Sequence, residues 1–373
     1  MREKRTAGNA IRYRVDDRTD IRNVPLKQFL SHIETKAELT AYLAAKVLDY
    51  FRNDQETRLI VVWDKVAECN TDEINEDIRS HTHEEADTLI ALHSLDASKD
   101  RKDLILDVFS PDTDVLLLLL YWYQSLCKET YFLTGRGNTK RSISVKEIHT
   151  ALGTEKADAI LGFHSLTGAD TTGRFAGKSK ATCFKVFMSS DDEIINAFRC
   201  LGSADDPPSG ATVDALERFV CCLYKPKGSS FSKLSELRRH LFSQKHAEGE
   251  RLPPTVGTLM PHILRAHFVA RIWKTSNVPR YSLPPVSDFG WNSIDDRLVP
   301  VKSLELPAPE SILMLVKCSC KTDCSRANCS CVKAHVTCTE MCSCTDLCQN
   351  SSEQANVTDV LDDILEYDSE DEF

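Results

Sequence analysis

Residues 103–122 read DLILDVFSPDTDVLLLLLYW, and the hydrophobic pattern of this stretch changes half-way along. Residues 103–110 form a short apolar run that ends before Pro111, which predicts a buried strand. Residues 112–126 are apolar on most faces, which predicts a buried helix with Asp112 as its N-cap. This order places Asp112 and Asp114 at the carboxyl end of a strand, where open α/β sheets bind their ligands.

Strand and helix patterns alternate on both sides of this stretch. Residues 58–64 (RLIVVWD) and 130–134 predict two more strands, and residues 26–53 and 83–96 predict helices. From residue 144 to residue 274 the pattern is mostly helical. The sequence therefore predicts an α/β fold with a parallel sheet and helices, followed by a helical region.

Shifts in composition divide the chain into segments. The predicted segments are a partial or truncated, partly helical N-terminal segment (1–54), an α/β domain that ends in a helical hairpin (55–190), a helical extension (191–274), a Pro/Ser-rich linker (275–316), a cysteine-rich zinc module (317–350) and an acidic disordered tail (351–373).

The formal net charge of −10 is unevenly distributed over the 373 residues. Residues 353–373 contain nine Asp and Glu and no Lys or Arg, so the rest of the chain is close to neutral and compatible with a nucleic-acid partner. The tail is expected either to fold onto a basic protein partner or simply to solubilise the chain. The longest apolar run, residues 115–123, is too short to span a bilayer, so no membrane partner is expected.

Acidic residues recur where a parallel sheet would gather them. Glu85 and Asp87 open the predicted helix at 83–96, and Asp170 lies in the segment TGADTTGRFAGKSK. Two carboxylates 4 Å apart repel by about 4 kcal/mol at an effective dielectric of about 20. Two Mg²⁺ or Mn²⁺ ions would relieve this repulsion and activate water for phosphodiester hydrolysis. Taken singly, each acid also suits a helix cap or a solvated charge.

The order of these acids resembles the flap endonuclease/XPG-like nucleases, a branch of the PIN-like fold. Residues 85–87 (EAD) match the family's helix-start acids, residues 110–117 (SPDTDVLL) match its Ser-x-Asp-x-Asp motif, and residues 166–170 (LTGAD) match its Leu-x-Gly-x-Asp motif. The resemblance implies a PIN/flap-nuclease-like sheet and a structure-specific endonuclease with two Mg²⁺ or Mn²⁺ ions. The metal ligands that it implies are Glu85, Asp87, Asp112, Asp114 and Asp170.

The same resemblance implies a helical hairpin that grips DNA after Asp170. Arg174, Lys178 and Lys180 lie in that segment, and helix N-termini with lysines suit contacts to phosphate groups. The family also has two further aspartates on upstream strands, for which Asp64 is the one candidate here. The N-terminal segment is therefore expected to be truncated, and cleavage is expected to be weak or absent for lack of a metal ligand.

Nine cysteines fall within residues 318–348 and include three Cys-x-Cys pairs. Each zinc ion takes about four thiolates, so nine thiolates hold three zinc ions only if some of them bridge two ions. The alternative is a disulfide-linked secreted module, but an odd number of thiols and a charged start without an apolar signal favour zinc. The predicted ligands are Cys318, Cys320, Cys324, Cys329, Cys331, Cys338, Cys342, Cys344 and Cys348.

This spacing resembles the tesmin-type CXC domain, a trinuclear zinc module of nuclear DNA-binding and chromatin proteins. The resemblance covers residues 317–350 and implies three zinc ions, DNA as a partner and a nuclear localisation. Asn328 stands where the family carries an aromatic residue, a departure that concerns DNA binding more than zinc binding. The pairing of the two domains resembles uncharacterised animal proteins associated with mobile elements.

Three histidines, His81, His83 and His93, flank the acids of the predicted helix. They suit either a zinc site or ordinary surface and capping positions, and both interpretations stay open.

Functions from different classes follow from these patterns. The first is a metal-dependent, structure-specific nuclease, or its degenerate descendant, with a zinc module attached. The second is a non-catalytic chromatin or DNA-binding protein in which the zinc module and the helical hairpin bind DNA. A third is a protein-interaction factor that uses its acidic tail.

Overall fold

The computed structural model describes residues 11–54, 56–71, 74–243, 252–294, 297–305, 317–321, 324, 329–333, 336–338, 342–344 and 348–350. The chain divides into two compact units, which we call the body (Met1–Ser303) and the C-terminal unit (Leu304–Phe373). The predicted acidic tail lies outside the described residues.

The body begins with two helices and a β-hairpin. The helices are α1 (Leu26–Phe29) and α2 (Ile33–Tyr50), and the hairpin strands are β1 (Ile60–Trp63) and β2 (Val66–Cys69). The strand predicted at 58–64 is therefore present, but it pairs antiparallel with β2 in a sheet of its own and does not join the predicted parallel sheet. Asp64 lies in the hairpin turn with a φ of 51°, a conformation that aspartate tolerates better than most residues.

A three-stranded mixed sheet forms the centre of the α/β part. Its strands are β3 (Ile105–Phe109), β4 (Glu129–Thr134) and β5 (Arg141–Ser144), in that spatial order. β3 and β4 are parallel, whereas β5 returns antiparallel to β4. Within the described residues, the predicted parallel sheet is present as one parallel pair, because the short connection after β4 allows the next strand to fold straight back.

Two more helices precede β3 in the chain, and a third connects β3 to β4. They are α3 (Glu76–Arg79), α4 (Ala86–Ser98) and α5 (Thr113–Trp122). The predicted helix at 112–126 is confirmed as α5, which continues into a 3-10 turn at Tyr123–Ser125. Val115 and Leu119 of α5 pack with Val108 and Phe132 of the sheet, so the strand–helix unit at 103–122 has an apolar core of its own.

The helical region predicted from residue 144 to residue 274 is confirmed. Its helices are α6 (Val145–Leu152), α7 (Thr154–Thr167), α8 (Lys180–Met188), α9 (Asp192–Cys200), α10 (Gly210–Tyr224), α11 (Leu234–Ser243) and α12 (Val256–Lys274). None of the helices in the described ranges is long and apolar enough to cross a bilayer.

The main core of the body lies among α7, α8, α9, α10 and α12. Four phenylalanine rings meet there edge-to-face or tilted, from Phe163, Phe187, Phe198 and Phe219. Gly162 lets α7 approach α9 closely, because a Cβ at this position would lie 2.1 Å from the carbonyl oxygen of Phe198. This close packing holds α7, whose C-terminal end leads to Asp170.

Residues 275–303 of the predicted linker (275–316) belong to the body. This part forms a 3-10 turn (Val286–Phe289) and a hairpin of β6 (Trp291–Ile294) and β7 (Arg297–Pro300). The guanidinium group of Arg265 on α12 donates to the carbonyl oxygens of Gly290 and Val301, both at 2.9 Å. Residues 275–303 are therefore proline-rich and yet pack against α12.

Candidate metal centres

The five predicted acids of the body come from three places around the carboxyl end of β3. Asp112 is the N-cap of α5, and its Oδ1 accepts a hydrogen bond from the Asp114 N–H at 2.9 Å. Glu85 is the N-cap residue of α4, and Asp87 lies in the first turn of that helix. Asp170 lies in the turn after α7, which is closed by a β-bridge between residues 169 and 172.

The ionisation of Asp87 shows that these acids act on one another. Burial raises the pKa of Asp87 to about 6, helped by the negative charges of Asp112, Asp114, Glu85 and Asp170. Charge–charge effects fade over a distance of about 8–10 Å in salt solution. The structure therefore brings all five acids into one neighbourhood, which we call the acidic cluster.

The acidic cluster is looser than the cysteine cluster of the C-terminal unit. Within the described residues, the sets of three or more His, Cys, Asp or Glu whose ligand atoms all lie within 4.8 Å of one another are sets of cysteines. Like charges push carboxylates apart, so a cation would have to draw these acids into contact. Their oxygen atoms are the donors that Mg²⁺ and Mn²⁺ prefer.

Two basic side chains, His164 and Lys180, lie among the acids, and His164 was not predicted from the sequence. His164 on α7 places its Nε2 3.0 Å from Oδ1 of Asp114 and packs its ring against Trp273. Lys180 donates from Nζ to the carbonyl oxygens of His164 and Gly168, at 3.0 and 2.7 Å. Burial lowers the pKa of Lys180 to about 8, although Asp114 opposes this shift. The sequence signal for His164 is that it is the one basic residue in the largely apolar stretch AILGFHSLT (159–167).

The residues predicted to contact DNA phosphates are placed differently from one another. Lys180 turns its ammonium group inward to main-chain carbonyls, which differs from a phosphate contact at the surface. The Lys178 Nζ lies 4.5 Å from the ring centroid of Tyr224. Arg174 is exposed and lies directly beside Gly168. Of the three, Arg174 is the side chain that solvent reaches most freely.

The nine cysteines of the C-terminal unit form overlapping groups of four. None of the fifteen cysteines, all of which lie in the described residues, is part of a disulfide. Cys318 and Cys338 each belong to three of the four groups. The groups are Cys318, Cys329, Cys331 and Cys338; Cys318, Cys338, Cys342 and Cys344; Cys318, Cys320, Cys324 and Cys329; and Cys324, Cys338, Cys344 and Cys348.

The sulfur–sulfur distances match tetrahedral zinc coordination. Four sulfurs at about 2.3 Å from a zinc ion stand about 3.8 Å apart. The Sγ of Cys318 lies 3.7 Å from that of Cys324 and 3.9 Å from that of Cys338, and Cys331 lies 3.6 Å from Cys342. Disulfide sulfurs would be about 2.05 Å apart. The thiol groups therefore fit zinc, and sulfurs shared between groups are suited to bridge two ions.

A hydrogen bond to a cysteine sulfur supports metal ligation by the cysteine cluster. The Asn350 Nδ2 donates to the Cys338 sulfur at 3.3 Å and to the Val336 carbonyl oxygen at 3.0 Å. Burial raises the pKa of the Cys331 thiol to about 12. A zinc ion has to displace that proton, so metal binding by this cluster releases protons.

No family model, curated protein or solved structure matches this chain. The geometry of the two clusters therefore stands by itself as the evidence for what they bind.

Of the three histidines predicted beside the acids, two are buried and none is the N-cap residue of α4. His81 and His83 are 5% and 2% exposed, and the N-cap residue of α4 is Glu85. His93 lies within α4, and burial lowers the pKa of all three imidazoles. The interpretation as surface or capping histidines is wrong for His81 and His83, because both are buried. The chain that follows α12 contacts His83 through the Val278 carbonyl oxygen and the Tyr281 ring.

Proposed function

We propose that this chain is a zinc-containing, nucleic-acid-associated protein whose body is a flap-endonuclease-like nuclease domain that depends on Mg²⁺ or Mn²⁺. One observation supports the nuclease assignment above the others. Glu85, Asp87, Asp112, Asp114 and Asp170 share one neighbourhood at the carboxyl end of β3, where the sequence order of the acids and the sheet topology both lead to a ligand site.

The chain's own residues supply orientation and charge in this proposed site. Two divalent ions, when bound, would neutralise the carboxylates and activate water for attack on a phosphodiester. Asp112 is held by its capping hydrogen bond, and Asp114 is held by His164. A divalent ion would offset the burial and the neighbouring negative charges that raise the pKa of Asp87 to about 6. Arg174 and Lys178 would contact the DNA backbone beside these acids.

The C-terminal unit would hold three zinc ions with its nine cysteines. Overlapping groups of four sulfurs give shared ligands, as a trinuclear cluster requires. A module of this kind would add DNA affinity to the body and agrees with a nuclear protein. The acidic tail would carry a separate contact to a basic protein partner.

The test compares cleavage by the full-length chain with cleavage by the double variant Asp112→Asn, Asp114→Asn. The substrates are flap and junction DNA with Mg²⁺ or Mn²⁺ present. We expect weak cleavage by the wild-type chain, because Asp64, the one upstream candidate, lies in a separate hairpin and does not join the acidic cluster. Cleavage that the double variant retains in full would disprove the role of these acids.

A second candidate is a non-catalytic DNA-binding protein. The contacts of His164 and Lys180 favour it, because Asp114 has a hydrogen-bonding partner in His164 and a nearby ammonium group in Lys180 without any metal. The cleavage assay with the double variant, extended to DNA binding, distinguishes the two candidate functions. DNA binding that needs neither divalent ion nor Asp112, together with no cleavage under any metal, supports the second candidate and excludes the first.

A further inference from the structure

Two buried histidines and one half-buried histidine lie close together next to α4, and none of them is a ligand of the proposed nuclease site. His81 and His83 belong to the extended segment before α4, and His93 belongs to α4 itself. Residues i and i+2 of an extended segment point to the same side, and the ring centroids of His81 and His83 are 6.0 Å apart. The charge of His81 acts on both other imidazoles, so all three rings are near neighbours.

The buried side-chain polar atoms that lack a hydrogen-bond partner in the described residues all belong to these rings. Every buried side-chain nitrogen or oxygen there that lacks a hydrogen bond belongs to the three histidines: Nδ1 and Nε2 of His81, Nδ1 of His83 and Nε2 of His93. A buried polar atom without a partner costs about 1–3 kcal/mol. Four such atoms in one place therefore indicate that a ligand completes this site.

Another buried histidine of the body shows the contrast. His267 is 2% exposed and uses both ring nitrogens, accepting from the Gly202 N–H at 3.1 Å and pairing with the Ala204 carbonyl oxygen at 3.0 Å. Burial of histidine in this body thus normally comes with hydrogen bonds. The set around His81 is an exception.

The hydrogen bonding of His83 prepares it for a metal. Its Nε2 lies 3.0 Å from the carbonyl oxygen of Val278, to which it donates. The neutral ring then carries its lone pair on Nδ1, the atom that has no partner. A ligating histidine commonly donates its other N–H to a carbonyl in this way, because the bond selects the tautomer and orients the ring.

We propose that His81, His83 and His93 form a zinc site that is separate from both the acidic cluster and the cysteine cluster. Imidazole nitrogens are ordinary zinc ligands, and three of them with a fourth oxygen ligand complete a tetrahedron. Asp64 is a candidate for that oxygen, because its charge acts on His81. The site would tie the extended segment before α4 to α4 itself, close to where Glu85 and Asp87 begin the helix.

Zinc binding needs a small rotation of the rings. Two imidazoles on one tetrahedral zinc, with Zn–N bonds of about 2.0–2.1 Å, have ring centroids about 5 Å apart. The centroids of His81 and His83 are 6.0 Å apart, and the nitrogens of the three residues do not all lie within 4.8 Å of one another. A change of about 1 Å is within reach of side-chain rotation.

The first test uses the wild-type, full-length chain purified from zinc-supplemented culture. X-ray absorption at the zinc edge separates sulfur ligands from imidazole ligands. We expect a sulfur shell from the cysteine cluster together with the multiple scattering of imidazole. A shell of sulfur alone, in protein with a full zinc content, overturns the proposal without any variant.

The second test counts zinc atoms per chain by elemental mass spectrometry in His93→Phe. We expect the zinc content to fall by one per chain and the imidazole signal to disappear, while the sulfur shell stays. The control is His149→Phe, because His149 is also partly buried against an aromatic ring but lies in α6, and it should keep the full zinc content. An unchanged zinc content in folded His93→Phe overturns the proposal.

A third variant keeps the test decisive if His93→Phe does not fold. Cysteine also ligates zinc, so His93→Cys should recover both the folded state and the zinc content of the wild-type chain. If His93→Phe fails to fold and His93→Cys fails as well, a wild-type spectrum without imidazole decides against the site, and one with imidazole decides for it. The result does not depend on nuclease activity, because the site contains none of the five acids.

Discussion

Asp87 gives the body an unusual dependence of stability on pH. Its pKa is about 6, against an ordinary value of 3.8, because the carboxyl group is half-buried and surrounded by other acids. A shift of this size corresponds to about 3 kcal/mol at ~1.36 kcal/mol per unit. We take roughly half, about 1.5 kcal/mol, because solvent screens a group that is only half-buried.

The direction of this pH dependence follows from how tightly Asp87 holds its proton in the folded and unfolded states. A carboxyl group whose pKa is higher in the folded state holds its proton more tightly when folded. Its contribution to stability is therefore complete below about pH 4 and is lost as the pH rises towards about 6. Ionised Asp87 then destabilises the folded protein at neutral pH.

The change Asp87→Asn removes the charge and keeps the shape of the side chain. In buffer freed of divalent cations, we expect the variant to be more stable than the wild-type chain by about 1.5 kcal/mol at pH 7 and nearly equal to it below about pH 4. Urea unfolding of the full-length chain, followed by tryptophan fluorescence across this pH range, measures the difference. Adding Mg²⁺ should stabilise the wild-type chain and leave the variant nearly unchanged, because the cation relieves the same repulsion.

The matched control is Asp192→Asn, since Asp192 is an exposed acid in the first turn of α9. This variant loses only the favourable interaction with the helix dipole, about 0.3–1 kcal/mol, and should be slightly less stable than the wild-type chain. If Asp87→Asn is also less stable at neutral pH, or if its advantage does not change between pH 4 and pH 7, the acidic cluster does not act as described.

Three further outcomes test other parts of the structure. Gly162→Ala should destabilise the body by about 1–3 kcal/mol in urea unfolding, because the new Cβ would lie 2.1 Å from a carbonyl oxygen of α9, whereas Gly210→Ala, with open space around it, should not. Cys331→Ser should lower the zinc content measured by elemental analysis and leave the cysteine cluster reactive to thiol reagents, whereas Cys200→Ser, an exposed thiol of the body, should change neither. Arg174→Ala should weaken DNA binding and reduce the slope of log K against log salt by about one, measured by fluorescence anisotropy, and an unchanged slope would remove Arg174 from the DNA surface.

Local patterns were enough to place several elements. The strand and helix of residues 103–122 formed as predicted, with Asp112 as the N-cap, because the capping bond and the apolar periodicity both act within a few residues. The cysteine groups were also visible in the sequence, since their sulfurs come from closely spaced positions. A zinc-binding unit of this kind depends little on the rest of the chain.

Long-range pairing was not visible in the same way. The strand at 58–64 has the composition of a strand in a parallel sheet, yet the turn at Asp64 lets it pair with its immediate neighbour instead. Residues 275–303 have the composition of a linker, yet Arg265 donates to two of their carbonyl oxygens, and His267 and Phe268 of α12 pack against Phe289. In both cases the partner that decides the outcome is not encoded in the segment itself.

The sequence by itself identified the candidate residues for chemistry: the acids around β3, the nine cysteines and the three histidines. The tertiary structure alone decided how their charges and hydrogen bonds are satisfied. It placed His164 against Asp114, turned Lys180 inward and packed His83 against Val278 and Tyr281. Burial and pairing depend on atoms that lie tens to hundreds of residues apart in the chain, and only the folded chain brings them together.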